Sequence, residues 1–359
     1  MRRLSVQNAQ IGMILARAVY DGSGNLVLDT GTVLDAIHLP VLPRLEVKDV
    51  IIQDSRVDDV IIVPSISEET EAHALRILHS LMDSNRGKLV EYMKLDLPAV
   101  DRAVKEIIQD FFSIFMGEIN IEGCFSHGNY HYIHPVKVTG LAVLLGKRAD
   151  FSRSDLTSLG MAALLQNIGY IGVPEGILTN LDPAAQANSP EFRKHVDIGV
   201  QILKRQKDLD PRIVEAVQQH HEQWDGSGYP GKLKGNKIGK FARIIAIASS
   251  YHSLISSHRN QKAYTPPEGA EYISAYSGEL FDPEFVSLFL RNVPFYPKGI
   301  SVRLSSGEIG IVTDSNIGYI GRTQVRVCYG RDGIELKPYN LDLSKPENQN
   351  VTIVEILDY

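Results

Sequence analysis

The segment that most constrains this chain is a short helical pattern that ends in two adjacent histidines. Ile213, Val217 and His220 share one face of that predicted helix, and His221 lies beside them. A glycine-rich stretch, WDGSGYPG, follows almost at once. The helix end fixes the backbone of both histidines, and the loop leaves room for a ligand to approach. We therefore expect a binding site here, and the alternative of two unrelated histidines is the weaker interpretation.

Two further histidines occur on apolar helical faces. His195 lies in the apolar row of a helix that begins with Ser189 as N-cap and Pro190 at the first helical position. A lone histidine in such a row is more often a hydrogen-bonded core residue than a ligand. His134 precedes a second apolar stripe and points to the same inward face. Because eight of the eleven histidines lie between 127 and 258, this region is where we expect the chemistry.

Polar side chains on two other helices are also predicted to face inward. Gln166 and Asn167 end one helix, and Gly169 after them is predicted to be either a helix C-cap or a glycine of close approach. Two amides on an apolar face need hydrogen-bond partners. Ser249 and His252 share the inward face of a later helix. These residues extend the candidate site beyond the histidines.

Two cations, Arg259 and Lys262, closely follow that later helix. Cations beside a histidine-rich cavity suit a phosphate group. The alternative is a solvated basic turn, and the sequence leaves both interpretations open.

Composition limits the class of protein. The 359 residues include 43% hydrophobic and 22% charged residues, which is enough for a sizeable core and excludes a disordered chain. A net charge of −6 does not favour binding to DNA, RNA or an anionic membrane. The two cysteines suit a reducing compartment, and no apolar run approaches the ~20 residues of a membrane span. We therefore expect a cytoplasmic protein.

The order of the patterns predicts a multi-domain, mainly α protein. We expect a small β-rich N-terminal module (1–65), a helical linker or dimerisation region (66–126), an all-helical core (127–295) and a small β-rich C-terminal module (296–359).

Taken in order, five parts of this pattern resemble the HD-GYP domain. They are His134, ALLQNIG, RKHVDIG, QHHEQWDGSGYPG and ARIIAIASSYHSL, and the resemblance covers roughly 130–295. That family is a bacterial subclass of HD-domain metal-dependent phosphohydrolases that degrade cyclic di-GMP. The resemblance implies an all-helical HD-GYP core for this region.

The chain departs from the family where the family holds its first metal. Gln166 and Asn167 stand in place of a His-Asp pair whose aspartate bridges two metals, and Ser249 replaces a metal-binding aspartate. Tyr170 stands in place of a lysine near the scissile phosphate, and Tyr130 in place of a glutamate found in members with an extra metal. Neutral amide and hydroxyl oxygens bind transition metals weakly, so we do not expect efficient hydrolysis.

The resemblance also implies that the second metal site is kept. Its three histidine ligands correspond to His195, His220 and His221, and His134 is a further candidate ligand. We expect at most one divalent transition metal ion (iron, manganese, zinc or nickel), with no ion at all as the alternative. Three other histidines are available as substitute ligands: His127, His131 and His252.

The expected function is a non-hydrolytic role in cyclic di-GMP signalling, as a nucleotide sensor or as a protein-interaction module. The expected partner is cyclic di-GMP or a related dinucleotide, with a GGDEF-type diguanylate cyclase and a homodimer as further options. The contacting residues are expected in the GYP loop and among nearby cations: Asp225, Gly226, Gly228, Tyr229, Pro230, Lys232, Lys234, Arg259 and Lys262. Two alternatives stay open, namely an active metal-dependent cyclic di-GMP phosphodiesterase with an atypical metal centre and a purely structural scaffold.

Overall fold

The structure is a computed structural model. It describes the whole chain except these residues: 46, 48, 63, 114–129, 181–188, 257–262, 317–320 and 358–359. His127, Arg259 and Lys262 lie outside the described residues, so their roles stay sequence-based predictions. The described residues are mainly helical, with β-structure towards both ends, which confirms the predicted fold class. The boundaries of the four predicted regions stay predictions.

Short strands dominate the described part of the N-terminal region. Its elements in chain order are β1 (Arg2–Ser5), β2 (Val19–Tyr20), β3 (Leu26–Leu28), α1 (His38–Arg44) and β4 (Asp49–Ile52). β1 pairs antiparallel with β4, and β2 pairs antiparallel with β3. The sequence patterns predict β2 and β3 but not the β1–β4 pair, because that pair joins segments far apart in the chain. Residues 60–62, predicted as β, form no strand.

The middle of the chain is helical. Its α-helices among the described residues are α2 (Glu68–Asn85), α3 (Leu97–Ser113), α4 (Tyr130–Arg148), α5 (Arg153–Leu165), α6 (Glu175–Asn180), α7 (Pro190–Lys204), α8 (Pro211–Gln219), α9 (Lys240–Ile255), α10 (Pro266–Ala275) and α11 (Pro283–Asn292). The predicted N-cap of α7 is confirmed, because Ser189 Oγ accepts a hydrogen bond from the backbone N–H of Phe192 at 3.3 Å. Asp210 caps α8 in the same way.

One hydrophobic core joins α2–α5 with α7–α11. Leu75 on α2 and Val104 on α3 are fully buried in it, beside Leu141 on α4 and Leu159 on α5. The apolar stripes of α2 and α3 are therefore covered within the chain itself. This packing positions α4, α5, α7 and α9, which carry many of the candidate site residues.

The C-terminal region forms a five-stranded antiparallel sheet in the order β8-β7-β6-β5-β9. Its strands are β5 (Ser301–Leu304), β6 (Ile309–Asp314), β7 (Gln324–Tyr329), β8 (Glu335–Asp342) and β9 (Ile353–Leu357). The sequence patterns miss β8, because this edge strand is mostly exposed, polar and interrupted by Pro338.

The two β-rich regions contact each other. Val57 and Val60 of the N-terminal region pack against Ile311 and Cys328 of the C-terminal sheet. An ion pair at the edge of this contact joins Arg326 to Asp59. None of the described helices is both long enough and apolar enough to cross a membrane.

We predict that a buried ion pair between α2 and α4 contributes to stability only as an intact pair. Lys137 Nζ lies 2.5 Å from Glu71 Oε1, and the two side chains are 9% and 4% exposed. Lys137→Met or Glu71→Leu alone leaves an uncompensated buried charge and should lower the free energy of unfolding by about 3–5 kcal/mol. The double substitution should stay within about 1 kcal/mol of the wild type. Urea unfolding of the four proteins measures both effects, and additive losses would contradict the expected coupling.

Candidate metal centre

The side chains of three histidines, one within α7 and two at the end of α8, come together. His195 projects from α7, His220 is the C-cap of α8, and His221 follows it. The Nε2 atom of His195 lies 3.4 Å from Nε2 of His220 and 3.2 Å from Nε2 of His221. Among the described residues, these three histidines form the group whose ligand atoms, all within 4.8 Å of one another, are close enough to share one metal ion.

Backbone carbonyls determine which nitrogen each ring presents. His195 Nδ1 lies 2.7 Å from the carbonyl oxygen of Phe192, and His220 Nδ1 lies 2.7 Å from that of Val217. Because a carbonyl oxygen only accepts hydrogen bonds, each Nδ1 carries the proton and each Nε2 carries a lone pair. This second-sphere arrangement is typical of metal-ligating histidines.

The spacing of the Nε2 atoms fits a cation between them. The lone pairs of His195 and His220, on Nε2 atoms 3.4 Å apart, repel each other unless a proton or a metal ion lies between them. Two nitrogens at about 2.0–2.1 Å from a tetrahedral ion would be about 3.3 Å apart. The donor set of His195, His220 and His221 therefore fits a divalent transition metal.

Burial keeps these imidazoles neutral. It lowers the pKa of His195 to about 4. Burial, reinforced by the nearby His195, lowers the pKa of His220 to about 3. The pKa of His221 also lies well below its ordinary value, because of burial and of the charges of His220, His195, His134 and Arg193. Neutral imidazole is the form that binds metal ions.

No carboxylate is among the groups that shift these three pKa values, as far as the described residues go. The cluster therefore lacks the negative charge that a bridging aspartate would supply. An ion held here would keep most of its positive charge.

His134 lies apart from the three-histidine cluster, in a neutral hydrogen-bond network. Its Nε2 lies 3.0 Å from Ser249 Oγ, and its Nδ1 lies 2.9 Å from the Tyr130 hydroxyl and 3.0 Å from His252 Nδ1. His252 thus meets the ring nitrogen of His134 that faces away from Ser249, and its role as a substitute ligand stays a prediction. His131 is directed elsewhere, because its Nε2 lies 3.0 Å from the carbonyl oxygen of Leu178.

Gln166 and Asn167 end α5 next to the helix that carries His195. A Cβ built on Gly169 would lie 1.8 Å from the His195 carbonyl oxygen, so this glycine allows a close approach of two backbones. Of the two predictions for Gly169, close approach is the one that the structure confirms. Its position brings the two amides towards α7.

The amides of Gln166 and Asn167 have hydrogen-bonding capacity that the described residues do not satisfy. Gln166 is fully buried, and neither its Nε2 nor its Oε1 has a hydrogen-bond partner. Asn167 is 8% exposed, and its Oδ1 also has none. Orphaned buried polar atoms are rare in native proteins and indicate a missing ligand, ion or water.

The Tyr170 ring packs beside His195 and His131. Its ring centroid lies 4.9 Å from that of His195 and 5.3 Å from that of His131. Burial raises the pKa of its hydroxyl well above the ordinary value. A neutral phenol therefore stands where the resemblance implies a cationic lysine.

The GYP loop is held against the cluster by Glu222. Its buried carboxylate accepts hydrogen bonds from the backbone N–H of Gly231 at 2.6 Å and of Leu233 at 2.9 Å. Gly228 is required for close packing, since a Cβ there would lie 2.3 Å from the backbone nitrogen of Gln223. The sequence analysis did not assign this role to Glu222, although the residue directly follows the histidine pair.

Within the loop, Tyr229 is the predicted residue that reaches the cluster. Its ring stacks on His221 with centroids 4.7 Å apart. The other loop residues lie at or near the surface: Asp225, Gly226, Pro230, Lys232 and Lys234. The sequence analysis missed Arg193, whose guanidinium carbon lies 4.6 Å from the centroid of the Tyr229 ring. It lies two residues before His195 in the quoted RKHVDIG segment, which is the one signal that could have indicated it.

Comparison with known proteins agrees with this architecture. The HD domain family matches residues 115–285. A cyclic di-GMP phosphodiesterase of Pseudomonas aeruginosa is 29% identical over 220 residues, covering 60% of this chain and 52% of that protein. A cyclic di-GMP phosphodiesterase of Thermotoga maritima is 28% identical over 223 residues, covering 61% of this chain and 60% of that protein. The chain thus spans less than two thirds of the length of either relative.

Among solved structures, an HDG"Y"P protein from Bdellovibrio bacteriovorus aligns with a TM-score of 0.45 and 16% identity, covering 80% of this chain and 97% of that chain. The histidine cluster and helices α4–α10 lie within the residues that the HD domain family matches. The chain is similar to the two cyclic di-GMP phosphodiesterases over this region.

We predict that Gln166 destabilises the metal-free and ligand-free protein. An unpartnered buried amide costs about 1–3 kcal/mol, so Gln166→Met should raise the free energy of unfolding by about 1 kcal/mol or more. Asn85 is the matched control, because it is equally buried but its amide donates to the carbonyl oxygens of Leu81 and Lys94. Asn85→Leu should lower the free energy of unfolding by about 2 kcal/mol. Equal losses for the two variants in urea unfolding would mean that Gln166 has partners after all.

Proposed function

We propose that this chain binds a cyclic dinucleotide at a centre with one metal ion and does not hydrolyse it efficiently. Its role would be that of a sensor or interaction module in cyclic di-GMP signalling. The observation that carries the proposal is the contrast between the two halves of the site. His195, His220 and His221 keep the geometry of a metal site, whereas His134 lies outside that group and is hydrogen-bonded to Tyr130, Ser249 and His252.

Electrostatics argues against a second ion. Two divalent ions about 4 Å apart repel each other by about 17 kcal/mol at an effective dielectric constant of about 20. The resemblance implies that the family offsets this repulsion with a bridging aspartate, and the corresponding residue here is Asn167. Because the amide oxygen of Asn167 carries no net charge, it does not offset the repulsion between two ions.

Loss of the second ion argues against efficient turnover. Two-metal sites stabilise both the attacking and the leaving oxygen of a phosphodiester. Removing one aimed charge-stabilising group costs about 10²–10³-fold in rate, and Asn167, Ser249 and Tyr170 are all neutral substitutes. Their effects act as a unit and do not simply add.

The ligand class rests on the relatives and on the loop. Two relatives are named cyclic di-GMP phosphodiesterases, which supports a cyclic dinucleotide as the ligand. Lys232 and Lys234 in the loop, with Arg259 and Lys262 predicted nearby, supply charges that suit its phosphates. A GGDEF-type diguanylate cyclase and a second copy of the chain are further partners consistent with an interaction module.

An active phosphodiesterase remains the second candidate, and one observation favours it. The three histidines bring ligand nitrogens together, and an ion with three histidine ligands would keep open positions at which it could lower the pKa of a bound water. The metal is expected among iron, manganese, zinc and nickel.

We predict binding without turnover. Protein reconstituted with each of these metals should bind cyclic di-GMP in equilibrium dialysis, with less than one molecule of linear dinucleotide released per chain over hours. His221→Gln should abolish metal uptake, because it removes one of three ligands, whereas His38→Gln in the N-terminal region should leave uptake unchanged. Repeated turnover by the wild type would replace the sensor proposal with the phosphodiesterase.

We also predict that acidic ligands restore the second ion. Elemental analysis of the wild type should find at most one ion per chain. The triple variant Gln166→His, Asn167→Asp, Ser249→Asp should bind about two, because carboxylates compensate the charge of a second ion. The control is the triple variant Gln166→Asn, Asn167→Gln, Ser249→Asn. It alters the same three positions without adding charge and should not gain an ion. Two ions in the unaltered protein would refute the electrostatic reasoning.

A further inference from the structure

A stack of three side chains leads from the protein surface to the histidine cluster. The Tyr229 ring lies against His221 at an interplanar angle of 15°. The guanidinium of Arg193 lies over the Tyr229 ring, 4.6 Å from its centroid. An aromatic face attracts a guanidinium by about 0.5–1 kcal/mol at an exposed site and more where water is excluded. The stack therefore holds the Arg193 guanidinium close to the histidine cluster.

Arg193 and His195 lie two residues apart on α7 but differ in exposure. His195 is fully buried, whereas Arg193 is exposed. The arginine thus lies at the surface end of the stack and the histidines at its buried end. Tyr229 connects the two, and among the described residues its buried hydroxyl has no hydrogen-bond partner.

We propose that Arg193 is an anion-binding residue that contacts a phosphate group of the ligand at the three-histidine centre, with Tyr229 as its platform. This inference rests on the proposed function. Three neutral imidazoles, one divalent ion and one guanidinium together carry about three positive charges. An anion such as a phosphodiester balances that charge, and the planar guanidinium matches the geometry of two phosphate oxygens.

The test measures the affinity of the metal-loaded full chain for two probes, inorganic pyrophosphate and cyclic di-GMP, by isothermal titration calorimetry. Arg193→Gln should weaken both by about tenfold or more, since it removes a charge-assisted hydrogen bond. Arg193→Lys should recover only part of the loss, because lysine lacks the planar fork. Bound metal per chain should stay constant, which separates lost ligand contact from a disrupted centre.

Lys194→Gln provides the matched control. It removes the same charge from the adjacent exposed residue of α7 and should leave both affinities unchanged. If Arg193→Gln binds both probes as tightly as the wild type, the inference is wrong while the proposed function stands. The same holds if Lys194→Gln weakens binding equally, because only general surface charge would then matter. If the wild type binds neither probe, the proposed function fails and the inference fails with it.

Discussion

The site depends on two hydrogen bonds, each from a histidine ring to a backbone carbonyl oxygen three residues earlier in the chain. Phe192 and Val217 offer carbonyl oxygens near a helix start and a helix end, and each accepts the Nδ1 proton of the histidine three residues later. The rings of His195 and His220 are thereby fixed with their Nε2 lone pairs facing one another. This arrangement is unfavourable in a buried pocket unless a cation occupies it. The helices that form the core thus hold the site in a state suited to an ion.

The rest of the pocket is polar but uncharged. Gln166 is as buried as Asn85, yet the amide of Asn85 is hydrogen-bonded within the chain, whereas the amide of Gln166 has no partner among the described residues. The resemblance implies that Asn167 and Ser249 stand in place of two acids, so the side chains stay polar but carry no charge. The three-histidine cluster and these neutral side chains are the two features on which the proposed function depends.

The N-terminal region contacts the helical core next to this pocket. His79 on α2 lies 3.1 Å from the carbonyl oxygen of Gly22 and stacks on Tyr132 of α4, with ring centroids 3.6 Å apart. Tyr132 is two residues from His134 on the same helix. The β-rich region therefore contacts α2, and α2 packs on the helix that also carries His134.

The sequence by itself determined the helical caps, the HD-GYP-like order of motifs and the loss of acidic ligands, because these follow from residue type and local spacing. It also predicted that His195 and His220 face inward, with His221 beside them. Only the tertiary structure decided that these three meet while His134 joins Ser249 and His252, since distances between helices depend on how their faces pack. The same packing left Gln166 without partners and brought Arg193 over Tyr229. The exposed edge strand β8 and the β1–β4 pair escaped prediction because long-range pairing, not local pattern, stabilises them.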